Sequence, residues 1–138
     1  MHDDLLQDAT LRLRICYHFS MADEHEQRLR AVYDAFNRRD IEAVLVALHP
    51  DVDWPNAWEG GRVHGRDAVR EYWTRQFAAI DGHVEPQSFS VTDDGRVSIG
   101  VHQVVRSLDG DLLADQVVTH VYAFRDGLVE RMDVFADA

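Results

Sequence analysis

From Asp23 onward the apolar positions recur with helical spacing. Leu29, Val32, Tyr33 and Phe36 fall at i, i+3, i+4 and i+7, a single stripe that predicts a first helix. Asp23 followed by Glu26 resembles a capping box, and Arg38-Arg39 stand where the C-terminal end of a helix dipole favours cations. Ile41, Val44, Leu45 and Leu48 repeat the spacing behind Asp40 as N-cap. Pro50 is expected to close that second helix, because the residue before a proline avoids the helical region. Residues 51–65 contain Trp54, Pro55, Trp58 and Gly60-Gly61 and read as a short strand followed by a loop. A third helix is predicted over 67–80, with Val69, Tyr72, Trp73, Gln76, Phe77 and Ile80 on one face and Asp81-Gly82 ending it.

Beyond that point the pattern turns strand-like over 84–92, 96–107, 112–125 and 128–135. Asp94-Gly95, Asp109-Gly110 and Asp126-Gly127 join these segments, and Asp-Gly pairs supply the positive φ of tight hairpins. The order α-α-β-α-β-β-β-β predicts an α+β fold, a curved antiparallel sheet wrapped on three helices as a cone with one open mouth. The stretch Leu11 to Phe19 alternates like a strand, and Met21-Ala22-Asp23-Glu24 looks like a natural beginning. Residues 1–20 are therefore expected to be an N-terminal extension, poorly ordered or an added edge strand, ahead of a single domain over 21–138.

Charge and composition remove several function classes. The 138 residues carry 14 basic and 25 acidic side chains, a net charge of −11 that repels nucleic acid and anionic membranes, so neither is expected as a partner. Every basic residue is Arg, which excludes a Schiff-base lysine. Cys16 is the only cysteine, so an internal disulfide or a multi-cysteine zinc site is excluded. The eight histidines show no metal-ligand spacing, and neither a dinucleotide nor a P-loop signature is present, so no metal and no cofactor are expected. Lacking an apolar run of the roughly 20 residues a membrane span needs, and a secretory apolar segment, the chain is expected to be cytoplasmic.

The last hairpin brings chemistry together. A two-residue turn at Asp126-Gly127 pairs Arg125 with Leu128. Counted outward it sets Phe124 against Val129, Tyr122 against Arg131 and His120 against Asp133. His120, Tyr122, Phe124, Arg131, Asp133 and Phe135 would then share one face. An imidazole beside a carboxylate can serve as general acid or base near neutrality; it can equally be a cross-strand polar pair that only satisfies its hydrogen bonds. A one-residue slip would separate the two. Trp54, Trp58 and Trp73 line an aromatic pocket or belong to the core, with Trp73 in the core stripe and Trp58 suited to a mouth. Tyr33 and Tyr72 either present hydroxyls to a ligand or pack as core. Arg62, His64 and Arg66 read as a solvated turn, and Gln103 needs a partner if it faces inward.

Three runs carry a resemblance: Asp40-Ile41-Glu42-Ala43-Val44, His49-Pro50-Asp51-Val52-Asp53-Trp54, and His64-Gly65-Arg66-Asp67-Ala68-Val69 with Tyr72-Trp73. With the ending Val121-Tyr122-Ala123-Phe124-Arg125-Asp126-Gly127-Leu128-Val129, they resemble the SnoaL-like branch of the nuclear transport factor 2-like superfamily. The resemblance covers about residues 23–136. It implies the ketosteroid isomerase-like, cystatin-like cone, often dimeric through the outer sheet face, in a superfamily of isomerases, cyclases, epoxide hydrolases and pure binders. Against the ketosteroid isomerases, the general-base carboxylate falls on Trp54 with Asp53 beside it, the helix-1 tyrosine on Val32 beside Tyr33, and the second acid on His120. Isomerase chemistry therefore does not carry over residue by residue.

The expected function is a small-molecule pocket protein, with acid/base catalysis by His120 and Asp133 on a hydrophobic oxygenated ligand. Tyr33, Asp53, Trp54, Trp58, Trp73, Gln103, Tyr122 and Phe135 are the candidate ligand-binding residues, and a homodimer through the outer sheet face is the expected assembly. The alternatives are a non-catalytic binder using the same cavity, and an accessory protein-interaction domain.

Overall fold

The computed structural model describes residues 23–136. The expected extension over residues 1–20 lies outside them. Helix α1 (residues 23–37) buries Leu29, Val32 and Tyr33, with Phe36 packed beside them, as the stripe requires. It ends in a Schellman arrangement: Asp40 N–H bonds Ala35 O at 2.9 Å and Arg39 N–H bonds Phe36 O at 3.0 Å. Arg39 occupies the left-handed position at φ 64° that glycine normally takes. Its guanidinium ion-pairs with Asp81, donates to Gly82 O at 2.6 Å and lies 4.7 Å from the Phe77 ring centre, which ties α1 to the start of the sheet.

Helix α2 (Ile41–Leu45) is capped by Asp40, whose carboxylate accepts from Ala43 N. It ends before Leu48, which the spacing assigned to it. Leu48 instead opens strand β1 (Leu48–Pro55), so Pro50 sits inside a strand rather than after a helix. A proline is tolerated there because β1 is irregular between Leu48 and Asp53, where a ladder N–H would have no regular partner. Strand β2 (Arg62–His64) replaces part of the expected loop, and α3 (Arg66–Ala79) runs directly into β3 (Ile80–Val91) without a break at Asp81-Gly82. Strands β4 (Val97–Ser107), β5 (Leu112–Arg125) and β6 (Leu128–Ala136) complete the chain.

The six strands form one curved sheet in the order β2-β1-β6-β5-β4-β3. The sheet is mixed rather than purely antiparallel, because β1 runs parallel to β6. Its inner face buries Val97, Ile99 and Val101 of β4 and Val118, His120 and Tyr122 of β5 against the three helices. This is the α+β cone expected. Among the described residues no helix is long and apolar enough to cross a membrane.

Candidate functional site: a buried tyrosine-histidine chain at an apolar cavity

The hairpin register decides what His120 touches. Asp126 (φ 55°) and Gly127 (φ 77°) form the expected tight turn, and Arg125 pairs with Leu128 and Phe124 with Val129. A bulge then intervenes, and Ala123 pairs with Arg131. Every later pair slips by one, so His120 faces Val134 and Asp133 faces Val121. The expected His120–Asp133 pair therefore does not form. Asp133 turns to the outer face, and Met132 and Val134 take the inward positions.

On the outer face Asp133 joins Asp53, Arg62 and Arg131. Arg62 ion-pairs with Asp53 and reaches Asp133 at 3.2 Å, while Arg131 meets Asp53 at 2.8 Å and Asp133 at 3.0 Å. Two cations and two anions thus rivet β2, β1 and β6 together. The Arg131 guanidinium holds the Asp133 carboxyl below its ordinary pKa against the opposing effect of burial. Asp53, one of the candidate ligand residues, is committed here and does not line the cavity. Nor is Arg62 part of a solvated turn. Arg66, likewise, bonds Leu48 O at 2.8 Å, and only His64 of that cluster is well exposed.

His120 is buried between the sheet and α1. Its Nδ1 lies 2.7 Å from Tyr33 Oη, and Tyr122 Oη donates to Tyr33 Oη at 2.9 Å. Tyr33 accepts from Tyr122, so its single proton goes to Nδ1, and the neutral ring carries its own proton on Nε2. This tautomer is assigned from the hydrogen-bond network. Burial alone lowers the His120 pKa to about 4. Burial also raises both tyrosines, so all three groups are neutral at pH 7. Among the described residues Nε2 has no hydrogen-bond partner and no sealed side-chain polar atom goes unpartnered; His120 lines the adjoining cavity, so Nε2 is the ring nitrogen left to face it.

That cavity measures about 90 Å3. Its deep wall is aromatic: Trp54 and Trp73 meet edge to face with ring centres 5.2 Å apart, and Tyr33, Tyr72 and Tyr122 complete it. Its half-buried and exposed lining residues, Pro55, Ala57, Gln76, Gln103 and Val134, mark the mouth. Among the described residues no carboxylate and no guanidinium lines it. The turn beside the mouth is held by Asn56, which is buried. Its amide donates to Glu59 at 2.9 Å and its carbonyl oxygen accepts from Glu59 N at 2.7 Å. Glu59 in turn ion-pairs with Arg75 at 2.8 Å, and these bonds pull its pKa down to about 2.

Of the candidate ligand residues, Tyr33, Trp54, Trp73, Gln103 and Tyr122 surround the cavity with His120. Trp58 stands in the neighbouring turn, 41% exposed, and is not among the lining side chains. Phe135 opposes Thr119 on the outer face and is 55% exposed, a consequence of the same slip that moved Asp133. The Tyr33–His120 contact is absent from the sequence reading, since 87 residues separate the two and no local spacing announces the pairing. The only signal was that Tyr33 in the α1 stripe and His120 on the inner rhythm of β5 both point at the core. Among the described residues no group of three His, Cys, Asp or Glu side chains could hold a metal ion.

A small α+β cone with a largely apolar cavity and one buried tyrosine-histidine hydrogen-bond chain defines a class of pocket proteins. The SnoaL-like domain family matches residues 29–132, and the chain belongs to that family, within the nuclear transport factor 2-like superfamily. The chain is similar in structure to an NTF2-like protein of unknown function from Burkholderia pseudomallei K96243, at 28% identity and TM-score 0.72 over 83% of this chain and 91% of that one. It is equally similar to TerC co-crystallised with polyporic acid, at 28% identity and TM-score 0.72 over 83% and 92%. An LEH-like epoxide hydrolase of M. tuberculosis shares the fold at 18% identity and TM-score 0.70 over 83% and 84%. No curated protein sequence matches. The fold recurs in 366 solved chains and by itself selects no activity.

Proposed function

We propose that this protein binds a small, largely apolar, oxygenated molecule in the cone and handles one of its polar atoms with His120. The observation that carries the reading is the imidazole itself, buried, pinned at Nδ1 by Tyr33 and open to the cavity at Nε2. In a catalytic version, Nε2–H donates a hydrogen bond to a ligand oxygen and stabilises the negative charge that develops there, while Tyr33, itself held by Tyr122, keeps the ring in that tautomer. TerC, crystallised with polyporic acid, and the epoxide hydrolase supply the class of precedent. A thermal-shift panel of small oxygenated cyclic compounds tests binding, followed by product analysis of each hit. His120→Ala should abolish turnover while folding survives, and unchanged turnover would rule out a catalytic His120.

A second reading is favoured by a specific feature. Among the described residues no carboxylate lines the cavity to support an imidazolium, and a pKa near 4 makes His120 a weak base at neutral pH. A non-catalytic binder would use the same contacts and give hits without products. We further propose that the chain forms a homodimer through the outer sheet face, where Val117 and Phe135 are 42% and 55% exposed. Sedimentation of the wild type and Phe135→Glu tests this; a monomeric wild type would contradict it.

A further inference from the structure

We propose that the cavity selects an uncharged ligand that buries an acceptor oxygen (carbonyl, epoxide or ether) against His120 Nε2–H, and that it rejects anions of the same shape. The proposal rests on the reading of the cavity as a small-molecule site and adds polarity and charge to it. The first observation is the direction of the hydrogen-bond chain. Tyr122 donates to Tyr33 and, in the tautomer this network assigns, Tyr33 donates to Nδ1, which leaves Nε2 as a donor with no acceptor among the described residues. A ligand group facing it must accept, and a group that can only donate would leave two buried protons opposed.

The second observation is the absence of a counter-charge. The polar groups at the mouth, Gln76 and Gln103, are neutral amides, and among the described residues no cation lines the cavity from rim to floor. Arg62 and Arg131 are spent on Asp53 and Asp133 on the opposite face of the sheet, and Arg75, beside the mouth, is paired with Glu59. A buried carboxylate would lose its hydration without recovering it. The net charge of −11 opposes anions further. The third observation is size and shape: the cavity is small, about 90 Å3, and open at its mouth, so a ligand can seat only one end at the floor and one oxygen placed there fixes the orientation.

Three molecules of nearly identical outline separate these contributions. Acetophenone presents an acceptor oxygen, α-methylstyrene replaces that oxygen by CH2, and benzoate replaces the methyl group by a second, charged oxygen. Titration of the full-length chain at pH 7, followed by calorimetry and by amide shifts of Trp54, Trp73 and His120, should rank acetophenone first. Its margin over each of the others should be at least about tenfold, the scale of one hydrogen bond to an otherwise unpaired buried donor. In His120→Leu the acetophenone and α-methylstyrene affinities should converge. In Tyr33→Phe, which unpins the ring without removing it, the acetophenone margin should shrink. Circular dichroism checks that both variants fold, and the wild-type ranking stands without them. Equal or reversed ranking in the wild type would overturn the polarity and charge assignment while leaving the pocket reading in place. Shifts at none of these residues with any of the three would overturn the pocket reading and the assignment with it.

Discussion

Tyr33 Oη lies 2.7 Å from His120 Nδ1, and this phenol, not a carboxylate, sets the tautomer of the imidazole. Burial then keeps the ring neutral, with a pKa near 4 against about 6.5 for an exposed histidine. A neutral ring with a fixed tautomer is a directional hydrogen-bonding group, and the proposed ligand selection rests on that direction.

The depressed pKa makes stability depend on pH. Above pH 6.5 His120 is neutral in both folded and unfolded chains and contributes no slope. Between 6.5 and 4 the unfolded chain takes up the proton and the folded one does not, so stability falls as pH falls. The full contribution is about 3 kcal/mol. Urea unfolding at pH 7 and pH 4.5 should show most of this loss, and His120→Phe should flatten it. An equal slope in the variant would refute the assignment to His120.

Tyr33→Phe removes the middle of the hydrogen-bond chain and leaves Nδ1 and the Tyr122 hydroxyl without their partner. We expect a loss of about 1–3 kcal/mol in urea unfolding, the cost of unsatisfied buried groups. Tyr122→Phe removes only the terminal donor and should cost less.

Asp133→Asn weakens the outer ion-pair cluster, in which Asp133 meets Arg62 and Arg131. Stability should fall by about 1 kcal/mol, since both carboxylates of the cluster are largely shielded from solvent while Arg131 is about half exposed. The titration of His120 should not move. A shifted His120 pKa in this variant would restore the pairing that the hairpin count suggested.

Asn56→Ala should free the turn at the cavity mouth. The Glu59 amide loses its acceptor on Asn56, and hydrogen exchange at Glu59 should accelerate while exchange in β5 stays slow. Uniform acceleration across both would show that Asn56 holds more than its turn.

The sequence made some of these features legible and hid others for identifiable reasons. Periodicity located the helices because each buries one stripe, and the Asp-Gly pairs located the hairpins because Gly95, Gly110 and Gly127 all take positive φ. The class of fold followed from that order. Pro50 misled because a breaker was read as a helix end, whereas the irregular β1–β6 pairing gives it a place in a strand. The site suffered most from one residue. The bulge beside Phe124 carries no compositional mark, and beyond it the inward and outward sets of β6 exchange places. Asp133 and Phe135 were thereby read into the cavity and Met132 and Val134 out of it. His120, Tyr33 and Tyr122 survived because α1 and β5 keep their rhythm. Their mutual contact depends on how helix meets sheet, which no local pattern encodes.

The central claim is that His120 is a neutral ring bound to Tyr33 and presenting Nε2–H to the cavity. Long-range 1H–15N spectra of the histidine side chains, recorded from pH 7 down to pH 4, read this directly. The account expects His120 to show the Nε2–H tautomer at pH 7 and to remain unprotonated at pH 5.5. A proton on Nδ1, or a titration midpoint at or above about 6.5, the value of an ordinary exposed histidine, would contradict it.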